Sequence, residues 1–583
     1  METVTLKING VSVEAPKGST ILEAARLAHI DIPTLCYLKE INEIGACRIC
    51  VVEVKGARSL VASCVYPVNE GMEVYTNTKK VLDSRKKTLQ LLLSNHERKC
   101  LSCVRSGDCE LQRLCKELKV DDENYYKGEK LAFEIDDSAA HMYRDNSKCI
   151  LCRRCVAVCS KVQNVGVIGA NERGFQTNIG SAFNMGLGET SCVSCGQCIA
   201  VCPTGAISEK DYTDQVLEAI ADPTKTVLVQ TAPAVRAALG EAFGYPIGTN
   251  VEGKMVAALR RIGFDKVFDT NFSADLTIME EAHEFLERMQ TGGVLPMITS
   301  CSPGWIKYCE HYFPEMTENL SSCKSPQQMF GAIAKTYYAQ KMNLDPKDIV
   351  MVSVMPCTAK KFEVGRDDQS AAGVPDVDIA ITTRELARLI ERVGINFTSL
   401  PEESFDDPLG LSSGAGVIFG ATGGVMEAAL RTAVWKLTGE NDDTPLEFND
   451  VRGVEGIKEA TYDVDGLQVK VAVVSGLKNA SDLLRKVQSG EADYHFIEIM
   501  GCPGGCVNGG GQPQVPAKIR NFTDIRALRA KVLYDSDAAN PIRRSHENPN
   551  IQTLYKEFLG EPGSDLAHQI LHTTYVKRKI NMF

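Results

Sequence analysis

The sequence lacks several features that would place a protein quickly in a functional class. No run of apolar residues approaches the roughly 18–20 that a membrane-spanning helix needs, so we expect no membrane span. The N-terminal stretch METVTLKINGVSVEAPKGST has no basic head followed by an apolar core and a cleavage site, and we therefore expect a cytoplasmic location. The net charge of −11 comes without a dense basic stripe, which disfavours nucleic acid as a partner.

A glycine-rich loop of the kind that cradles phosphates after a strand is also missing. The sequence therefore shows no nucleotide or flavin site of its own. Its 583 residues are too many for one ordinary domain and predict three to five. The fold class that we predict is multidomain, with α+β and α/β parts.

Cysteine, in contrast, is abundant: there are 22, mostly in tight groups that thin out after Cys202. A disulfide framework is one explanation, but cytosolic thiols stay reduced, and cysteines separated by only two residues rarely bridge each other. Clustered cysteines in a large intracellular chain are typical of metal ligands. We therefore predict an electron-transfer half followed by a half that carries out chemistry.

Residues 1–78 are predicted to form a ubiquitin-like [2Fe–2S] ferredoxin domain. Apolar and polar residues alternate around Asn9-Gly10, a strong β-hairpin signal, and a helical stretch follows with Ser19 or Thr20 as its cap. The cysteine spacing C-x10-C-x2-C-x13-C suits two irons with two sulfurs each, whereas zinc ribbons have paired close spacings. It resembles the N-terminal module of the large iron–sulfur subunit of complex I and of many modular hydrogenases. The predicted ligands are Cys36, Cys47, Cys50 and Cys64.

A second group of ligands is predicted in residues 79–137, where the pattern H-x3-C-x2-C-x5-C follows a helical stretch. A lone histidine is usually an ordinary surface or core residue. An imidazole in place of one thiolate, however, lowers the negative charge on an iron–sulfur cluster and raises its potential. The pattern resembles a [4Fe–4S] module of the same complex I and hydrogenase chains, which implies the ligands His96, Cys100, Cys103 and Cys109. Cys115 lies outside the pattern and is predicted to be a packed free thiol.

The most specific spacing lies in residues 138–209, where C-x2-C-x2-C-x3-C occurs twice and Pro203 follows the second copy. This is the arrangement of a bacterial ferredoxin with two [4Fe–4S] clusters, in which the fourth cysteine of each run binds the other cluster. The predicted ligands are Cys149, Cys152, Cys155 and Cys202 for the first cluster, and Cys192, Cys195, Cys198 and Cys159 for the second. The three modules should pass electrons to a site further along the chain.

From about Lys210 the sequence changes character, and residues 210–535 are predicted to form a two-lobed α/β domain. Strand-like runs such as TVLVQTAP, DIVMVSVMP, VKVAVVSG and YHFIEIMG alternate with helical stretches such as SADLTIMEEAHEFLERM and TTRELARLIERVG. Three loops that follow predicted strands carry cysteine: PMITSCSPGW, VSVMPCTAKK and IEIMGCPGGCVNGGG. Ligands scattered so widely indicate a site between lobes, which suits catalysis better than electron transfer.

These three loops resemble the signature motifs of [FeFe]-hydrogenases. The similarity runs from about Thr226 past Ser545-His546-Glu547, and residues 536–583 resemble the small-subunit segment of that family. The resemblance implies an H-cluster, a [4Fe–4S] cubane joined through a cysteine to a two-iron centre with carbonyl, cyanide and azadithiolate ligands.

The resemblance also implies roles for individual residues. By position, Cys357 and Cys502 match cubane ligands, Cys506 matches the cysteine that bridges to the two-iron centre, and Lys360 matches a lysine that pairs with a cyanide. The glycines of the third loop fit a close approach of the backbone to a bulky cluster.

A buried two-iron centre also needs a route for protons. Glu281, Glu284 and Arg288 share one side of a predicted helix, which by itself is typical of an ordinary polar face. The family resemblance implies instead that they belong to a proton relay with Ser321 and Cys301. We predict that protons pass from the surface through Glu281, Ser321, Glu284 and Cys301, in that order.

The first loop departs from the family pattern. The usual loop reads T-S-C-C-P-G-W, in which the first cysteine relays protons and the second binds the cubane, whereas this chain reads T-S-C-S-P-G-W. By strict alignment Cys301 is the relay residue and Ser302 stands at the ligand position. Either the cubane takes an oxygen ligand here, or the loop shifts so that Cys301 binds iron and Ser302 relays the proton.

The leading hypothesis is a hydrogenase that interconverts H2 with protons and electrons. The N-terminal modules resemble those of catalytic subunits in multimeric NAD(P)-linked, often electron-bifurcating, hydrogenases. This implies as partners a flavin- and NAD(P)-binding iron–sulfur subunit, a small thioredoxin-like [2Fe–2S] subunit and ferredoxin. A monomeric ferredoxin-dependent hydrogenase is the close alternative.

Three other classes of protein fit less well. A hydrogen sensor usually lacks the relay cysteine, which this chain has at Cys301. An iron–sulfur assembly protein would keep similar cubane ligands without needing Cys506 and the relay acids. A pure electron-transfer protein would show no hydrogen turnover.

Overall fold

The computed structural model describes residues 2–120, 126, 128–439, 446–453, 456–464 and 466–580. Its N-terminal part is a small mixed sheet with one helix against it. The elements are β1 (Thr3–Ile8), β2 (Val11–Pro16), α1 (Ile21–Leu27), β3 (Val51–Val54), β4 (Val61–Ala62) and β5 (Glu73–Tyr75). The strands lie in the order β2-β1-β5-β3-β4.

The predicted hairpin and helix cap are both present. β1 and β2 pair antiparallel, and between them Asn9 and Gly10 have φ angles of 49° and 85°, the left-handed backbone that a two-residue hairpin turn requires. Thr20 rather than Ser19 caps α1: its side chain accepts a hydrogen bond from the backbone of Glu23, whose carboxylate accepts one from the backbone of Thr20.

The middle of the chain consists of short elements between long cysteine-bearing loops. They are α2 (Lys79–Ser94), α3 (Glu110–Glu117), β6 (Met142–Arg144), α4 (Arg154–Ala157), β7 (Gly169–Asn171), β8 (Asn178–Gly180), α5 (Gln197–Ala200) and β9 (Ile207–Glu209). β6 pairs antiparallel with β9, so the two ends of the two-cluster region lie side by side. One apolar cluster joins all three modules, because Cys36, Leu89, Leu111 and Cys152 pack in it together.

The first sheet of the C-terminal half is parallel. Its region contains α6 (Thr213–Ala221), β10 (Thr226–Thr231), α7 (Pro233–Arg236), α8 (Glu252–Ile262), β11 (Lys266–Asp269), α9 (Asn271–Thr291), β12 (Met297–Ile298), α10 (Pro303–Tyr312), α11 (Pro326–Ile333), α12 (Ala339–Met342), β13 (Ile349–Met355), α13 (Ala359–Val364), β14 (Ile379–Thr382) and α14 (Thr383–Arg392). The strand order is β11-β10-β13-β14. β10 and β13 are almost wholly buried, as strands of a parallel sheet with helices on both faces must be.

The second sheet is mixed and lies later in the chain. Its region contains α15 (Gly414–Ile418), α16 (Gly424–Thr438), β15 (Ile457–Val464), β16 (Leu467–Ser475), α17 (Leu477–Gln488), β17 (Phe496–Met500), α18 (Ala517–Arg520), α19 (Ile525–Ala539), α20 (Pro549–Leu554) and α21 (Asp565–Leu571). The order is β12-β17-β16-β15. The four strand-like runs of the sequence are therefore β10, β13, β16 and β17, which confirms the predicted α/β alternation. Within the described ranges, no helix combines the length and apolarity that crossing a bilayer requires.

Candidate active site and electron path

The four cysteines of the first group converge in loops of the N-terminal sheet. The sulfurs of Cys50 and Cys64 are 3.3 Å apart, and the backbone N–H of Cys47 lies 3.5 Å from the sulfur of Cys36. All 22 cysteines of the chain are free thiols. Thiols that converge without forming disulfides are the donor set that an iron–sulfur cluster requires.

The histidine of the second group faces the cysteines that were grouped with it. His96, Cys100, Cys103 and Cys109 line one cavity of about 270 Å³. Nδ1 of His96 is buried and has no hydrogen-bond partner among the described residues, as expected of an imidazole nitrogen placed to bind a metal. Cys115, which the spacing set apart, also lines this cavity.

The cysteines of the third group separate into two sets, and each set combines three cysteines of one run with the fourth cysteine of the other. One small cavity is lined by three cysteines of the first run and one of the second: Cys149, Cys152, Cys155 and Cys202. The remaining four are also neighbours, since burial raises the pKa of the Cys198 thiol and the proximity of Cys195, Cys192 and Cys159 raises it further. Each set supplies the four thiolates that a [4Fe–4S] cluster takes.

Both N-terminal groups contact the first of these sets. Nδ2 of Asn42 donates hydrogen bonds to the carbonyl of Cys36 at 2.8 Å and to that of Cys152 at 3.0 Å. The backbone N–H of Glu110, which follows the last ligand of the histidine group, donates to the carbonyl of Pro203 at 3.2 Å. The two N-terminal groups therefore both lie against the set that contains Cys152 and Cys202.

The three cysteine loops of the C-terminal half meet at one cavity. They follow β12, β13 and β17, so the carboxyl ends of both four-stranded sheets open onto it, the usual place for a site in an α/β fold. The residues that line it include the thiols, hydroxyl and ammonium of Cys301, Ser302, Cys357, Lys360, Cys502 and Cys506, and apolar side chains of Ala232, Met355, Phe419 and Met500.

Three of these thiols form a close group. Burial raises the pKa of Cys502 strongly, and the neighbouring sulfurs of Cys357 and Cys195 raise it further. The pKa of Cys506 is raised to about 12, again by burial first and then by Cys357, while the Lys360 ammonium acts in the opposite direction. Such clustered, buried and unbridged thiols are stabilised when metal ions take up their negative charge.

The second ferredoxin run packs directly against the loops of the catalytic cavity. The hydroxyl of Thr358 donates to the carbonyl of Ser194 at 2.8 Å, and Nε2 of Gln197 donates to the carbonyl of Asn508 at 2.9 Å. A side chain at Gly510 would reach within 2.2 Å of the carbonyl of Cys195. The second cysteine run is thus in direct contact with two of the three cysteine loops of the C-terminal half.

Two glycines of the third loop are required by the packing of the protein itself. A Cβ added at Gly505 would lie 2.7 Å from the backbone nitrogen of Thr422, and one at Gly509 would lie 2.2 Å from the carbonyl of Pro356. Both glycines also line the cavity, so the predicted close approach of this backbone to a cluster stays a prediction.

Lys360 holds a positive charge at the wall of the cavity. Its Nζ donates to the hydroxyl of Ser325 at 2.8 Å, to the carboxylate of Glu363 at 2.9 Å and to the carbonyl of Cys301 at 3.3 Å. Glu363 is one helical turn after Lys360 on α13, so the i, i+3 spacing could have predicted this ion pair. No spacing in the sequence indicates the contact with Ser325.

The predicted relay residues lie together along the inner side of α9. Arg288 donates to the carboxylate of Glu284 at 2.6 Å, and the hydroxyl of Ser321 donates to the same carboxylate at 3.0 Å. Glu281 is 1% exposed, and its pKa is raised to about 8 by burial first and by the nearby Glu284 charge second. Burial beside Glu281 likewise raises the pKa of the Cys301 thiol.

The predicted order of the two glutamates is wrong. Glu284 is the outer one, because it pairs with the partly exposed Arg288, whereas Glu281 is the inner one, next to Cys301. The error arose because spacing along a helix shows which face two residues share but not which of them lies nearer the surface. The order along the structure is Glu284, Ser321, Glu281 and Cys301.

The two alternatives for the first loop differ in which side chain faces the other thiols. The Cys301 thiol is most strongly affected, after burial, by Glu281. The hydroxyl of Ser302 accepts a hydrogen bond from the backbone N–H of Gly501, the residue before Cys502. Both side chains line the cavity, so which of them binds the cubane stays a prediction.

Matches to known families cover almost the whole chain. Residues 225–510 match the family described as iron only hydrogenase large subunit, C-terminal domain, and residues 523–578 match iron hydrogenase small subunit. The N-terminal matches are a 2Fe-2S iron-sulfur cluster binding domain over 1–79, the NADH-ubiquinone oxidoreductase-G iron-sulfur binding region over 85–124, and a 4Fe-4S dicluster domain over 148–206.

Curated relatives match over their full length. The NADP-reducing hydrogenase subunit HndD of Solidesulfovibrio fructosivorans is 52% identical, with 99% of this chain and 100% of the relative covered. Iron hydrogenase 1 of Clostridium pasteurianum is 44% identical, with 98% and 100% covered. This chain belongs to the [FeFe]-hydrogenase family. A solved [FeFe]-hydrogenase HydA1 of Chlamydomonas reinhardtii is 43% identical, with 63% of this chain and 99% of that chain covered and a TM-score of 0.56.

The hydrogenase is thus an oxidoreductase that acts on hydrogen, with an H-cluster domain preceded by 2Fe-2S and 4Fe-4S binding domains. The residues present fit these groups, because each predicted set of thiols converges without disulfides and His96 keeps a free nitrogen beside its cysteines. The boundaries of the domains and the residues that bind each cluster stay predictions.

Proposed function

We propose that this hydrogenase is the hydrogen-converting subunit of a larger assembly that exchanges electrons with NAD(P). Protons leave or arrive through the relay on α9, and electrons pass through the cysteine groups. The observation that carries the proposal is the contact of the second ferredoxin run with the catalytic loops, made by Thr358 with Ser194 and by Gln197 with Asn508. It joins the electron path to the hydrogen site inside one chain.

The cofactors that we propose are one [2Fe–2S] cluster, three accessory [4Fe–4S] clusters and an H-cluster. His96 with three cysteines holds one of the accessory clusters. Cys357, Cys502 and Cys506 would hold the cubane of the H-cluster, and Cys506 would link it to a two-iron centre with carbonyl, cyanide and azadithiolate ligands. When bound, that centre would supply the chemistry that cleaves or forms H2 and a base for its proton.

We assign the fourth protein ligand of the cubane, which the first loop supplies, to Ser302. A [4Fe–4S] cluster takes four protein ligands, and three thiols are already grouped on one side of the cavity. Ser302 shares a hydrogen bond with the segment that carries Cys502, while Cys301 faces Glu281. Cys301 is then free to accept and pass on protons, and Lys360 beside it supplies the positive charge for a cyanide.

Hydrogen turnover is the direct test of the proposed function. We expect the purified chain, after maturation of its two-iron centre, to oxidise H2 with an artificial electron acceptor and to show infrared bands of carbonyl and cyanide ligands. A Cys506→Ala variant should lose both properties, because the bridge to the two-iron centre is gone, while the N-terminal clusters remain. If the wild-type protein contains all its accessory clusters but shows neither hydrogen turnover nor these infrared bands, the proposal is wrong and the protein only transfers electrons.

The partner proposal rests on the relative named as an NADP-reducing hydrogenase subunit. We expect purification under native conditions from the source cells to recover this chain with a flavin- and NAD(P)-binding iron–sulfur subunit and a small [2Fe–2S] subunit, and the complex to reduce NAD(P) with H2 and ferredoxin. A stable, flavin-free single chain that reacts only with ferredoxin would instead support the monomeric alternative, for which iron hydrogenase 1 is the relevant relative.

A further inference from the structure

A cluster of polar side chains outside the predicted relay surrounds its outermost carboxylate. A ring nitrogen of His572, the sulfur of Cys323 and a carboxylate oxygen of Glu284 all lie within 4.8 Å of one another. The backbone fixes this arrangement: Cys323 and His572 form an antiparallel bridge, and the N–H of Thr573 donates to the carbonyl of Ser322 at 2.8 Å. The C-terminal segment is thereby held against the relay.

A cation site is one explanation for such a cluster, but the surroundings of Glu284 disfavour it. Its carboxylate already accepts hydrogen bonds from Arg288, from the Ser321 hydroxyl and from the backbone N–H of Ser322. Few lone pairs remain for a metal ion, and the guanidinium already supplies a positive charge beside the carboxylate.

Arg288 itself cannot deliver that proton. A guanidinium stays charged at every relevant pH, so it orients Glu284 but neither gives up nor takes a proton. Glu284 is only 9% exposed, and bulk water therefore has poor access to it. A side chain that exchanges protons near neutral pH would connect this carboxylate to the solvent, and histidine is the side chain suited to that role.

His572 has the contacts of such a group. Its Nδ1 shares a hydrogen bond of 2.7 Å with the hydroxyl of Ser322, and its Nε2 lies 3.2 Å from the carboxylate of Glu280. Glu280 is in turn held by the hydroxyl of Tyr555. On the outer side, the centre of the His572 ring is 4.2 Å from that of His568, which is exposed to solvent.

We propose that His572 exchanges protons between the solvent and Glu284, with His568 as the surface group. This rests on the proposed function, in which Glu284 is the outer residue of the relay. In the inward direction one N–H bond of His572 breaks and one O–H bond of Glu284 forms, and His568 then returns a proton to His572. A water molecule or a turn of the ring spans the gap of up to 4.8 Å. Glu280 keeps the ring in place, so it is a positioning residue.

The test compares variants of the full-length matured protein in H2 oxidation with an artificial electron acceptor. We expect His572→Ala to lower turnover by about tenfold. This is less than the effect of removing a residue that transfers a proton directly to the reacting group. Added imidazole should restore at least half of the lost activity, and His568→Gln should give a smaller loss. The solvent deuterium isotope effect should rise in both variants, because proton transfer then limits the rate.

The matched control is His311→Gln, since Nδ1 of His311 also contacts the C-terminal segment, at the carbonyl of Lys579, but outside this cluster. It should leave turnover and the isotope effect unchanged. Wild-type activity in His572→Ala, or a loss that imidazole does not restore and that leaves the isotope effect unchanged, would overturn the proposal. These comparisons require a wild-type protein that is active and has normal infrared bands. An inactive wild type would contradict the proposed function, whereas the variants test only the role of His572.

Discussion

The Cys301→Ala variant is expected to lose hydrogen turnover by roughly 10³-fold while keeping the iron content and the carbonyl and cyanide infrared bands of the wild type. The reason lies in the first loop, where the Cys301 thiol faces Glu281 and Ser302 faces the segment of Cys502. Removing the thiol breaks the proton relay at its inner end without removing a cluster ligand. The measurements are H2 evolution, iron analysis and infrared spectroscopy of the same preparation.

The neighbouring residue provides the matched comparison. Ser302→Ala should lower the occupancy of the cubane, and Ser302→Cys should retain it with a higher reduction potential, because a thiolate stabilises reduced iron better than a harder oxygen ligand. Infrared spectroelectrochemistry of the carbonyl bands reports that potential without interference from the accessory clusters. Loss of the cubane in Cys301→Ala, together with full occupancy in Ser302→Ala, would show that Cys301 is the ligand after all.

Glu281→Gln is expected to lower H2 evolution by about 10²-fold and to remove an inflection near pH 8 from its pH profile. Burial and the neighbouring Glu284 raise the pKa of the Glu281 carboxyl to about 8. Below that pH the carboxyl carries a proton that it can donate toward Cys301. Above it the carboxylate is ionised, so H2 evolution should fall as the pH rises through about 8, while H2 oxidation, which needs a proton acceptor, is affected less.

Glu281→Asp serves as the conservative variant, because it keeps a titrating group one methylene further from Cys301. It should retain the inflection and recover part of the activity, with unchanged infrared bands. An inflection near pH 8 that persists in Glu281→Gln would instead locate the titrating group elsewhere, and Glu498, whose buried carboxyl has its pKa raised to about 7, is the next candidate.

The sequence predicted local structure well wherever a short pattern has a single physical solution. Asn9-Gly10 forms the hairpin because its two residues adopt the left-handed backbone that the turn demands. The runs that became β10 and β13 were recognisable because a buried parallel strand has few polar residues. The cap of α1 was narrowed to Ser19 or Thr20, and only the contact of Thr20 with Glu23 decided between them.

The predicted order of Glu281 and Glu284 failed because depth within the protein depends on which segments pack against α9. Ser321, whose hydroxyl donates to the Glu284 carboxylate, lies 37 residues later in the chain, and this contact exists only once the chain is folded. Spacing was equally unable to show the crowding of the third-loop glycines, since Thr422 and Pro356 come from 80 or more residues earlier in the chain.

The sequence alone predicted the cysteine groups, because short spacings between cysteines in one loop are typical of the ligands of an iron–sulfur cluster. The absence of long apolar runs and of a phosphate loop likewise needed no structure. Only the tertiary structure decided how these parts connect: Asn42 joins the loop of Cys36 to that of Cys152, and Cys301 and Ser302 line one cavity together with the thiols of the other two loops. It also placed His572 beside Glu284, which lies nearly 300 residues earlier, because backbone pairing with Cys323 draws the C-terminal segment onto the relay.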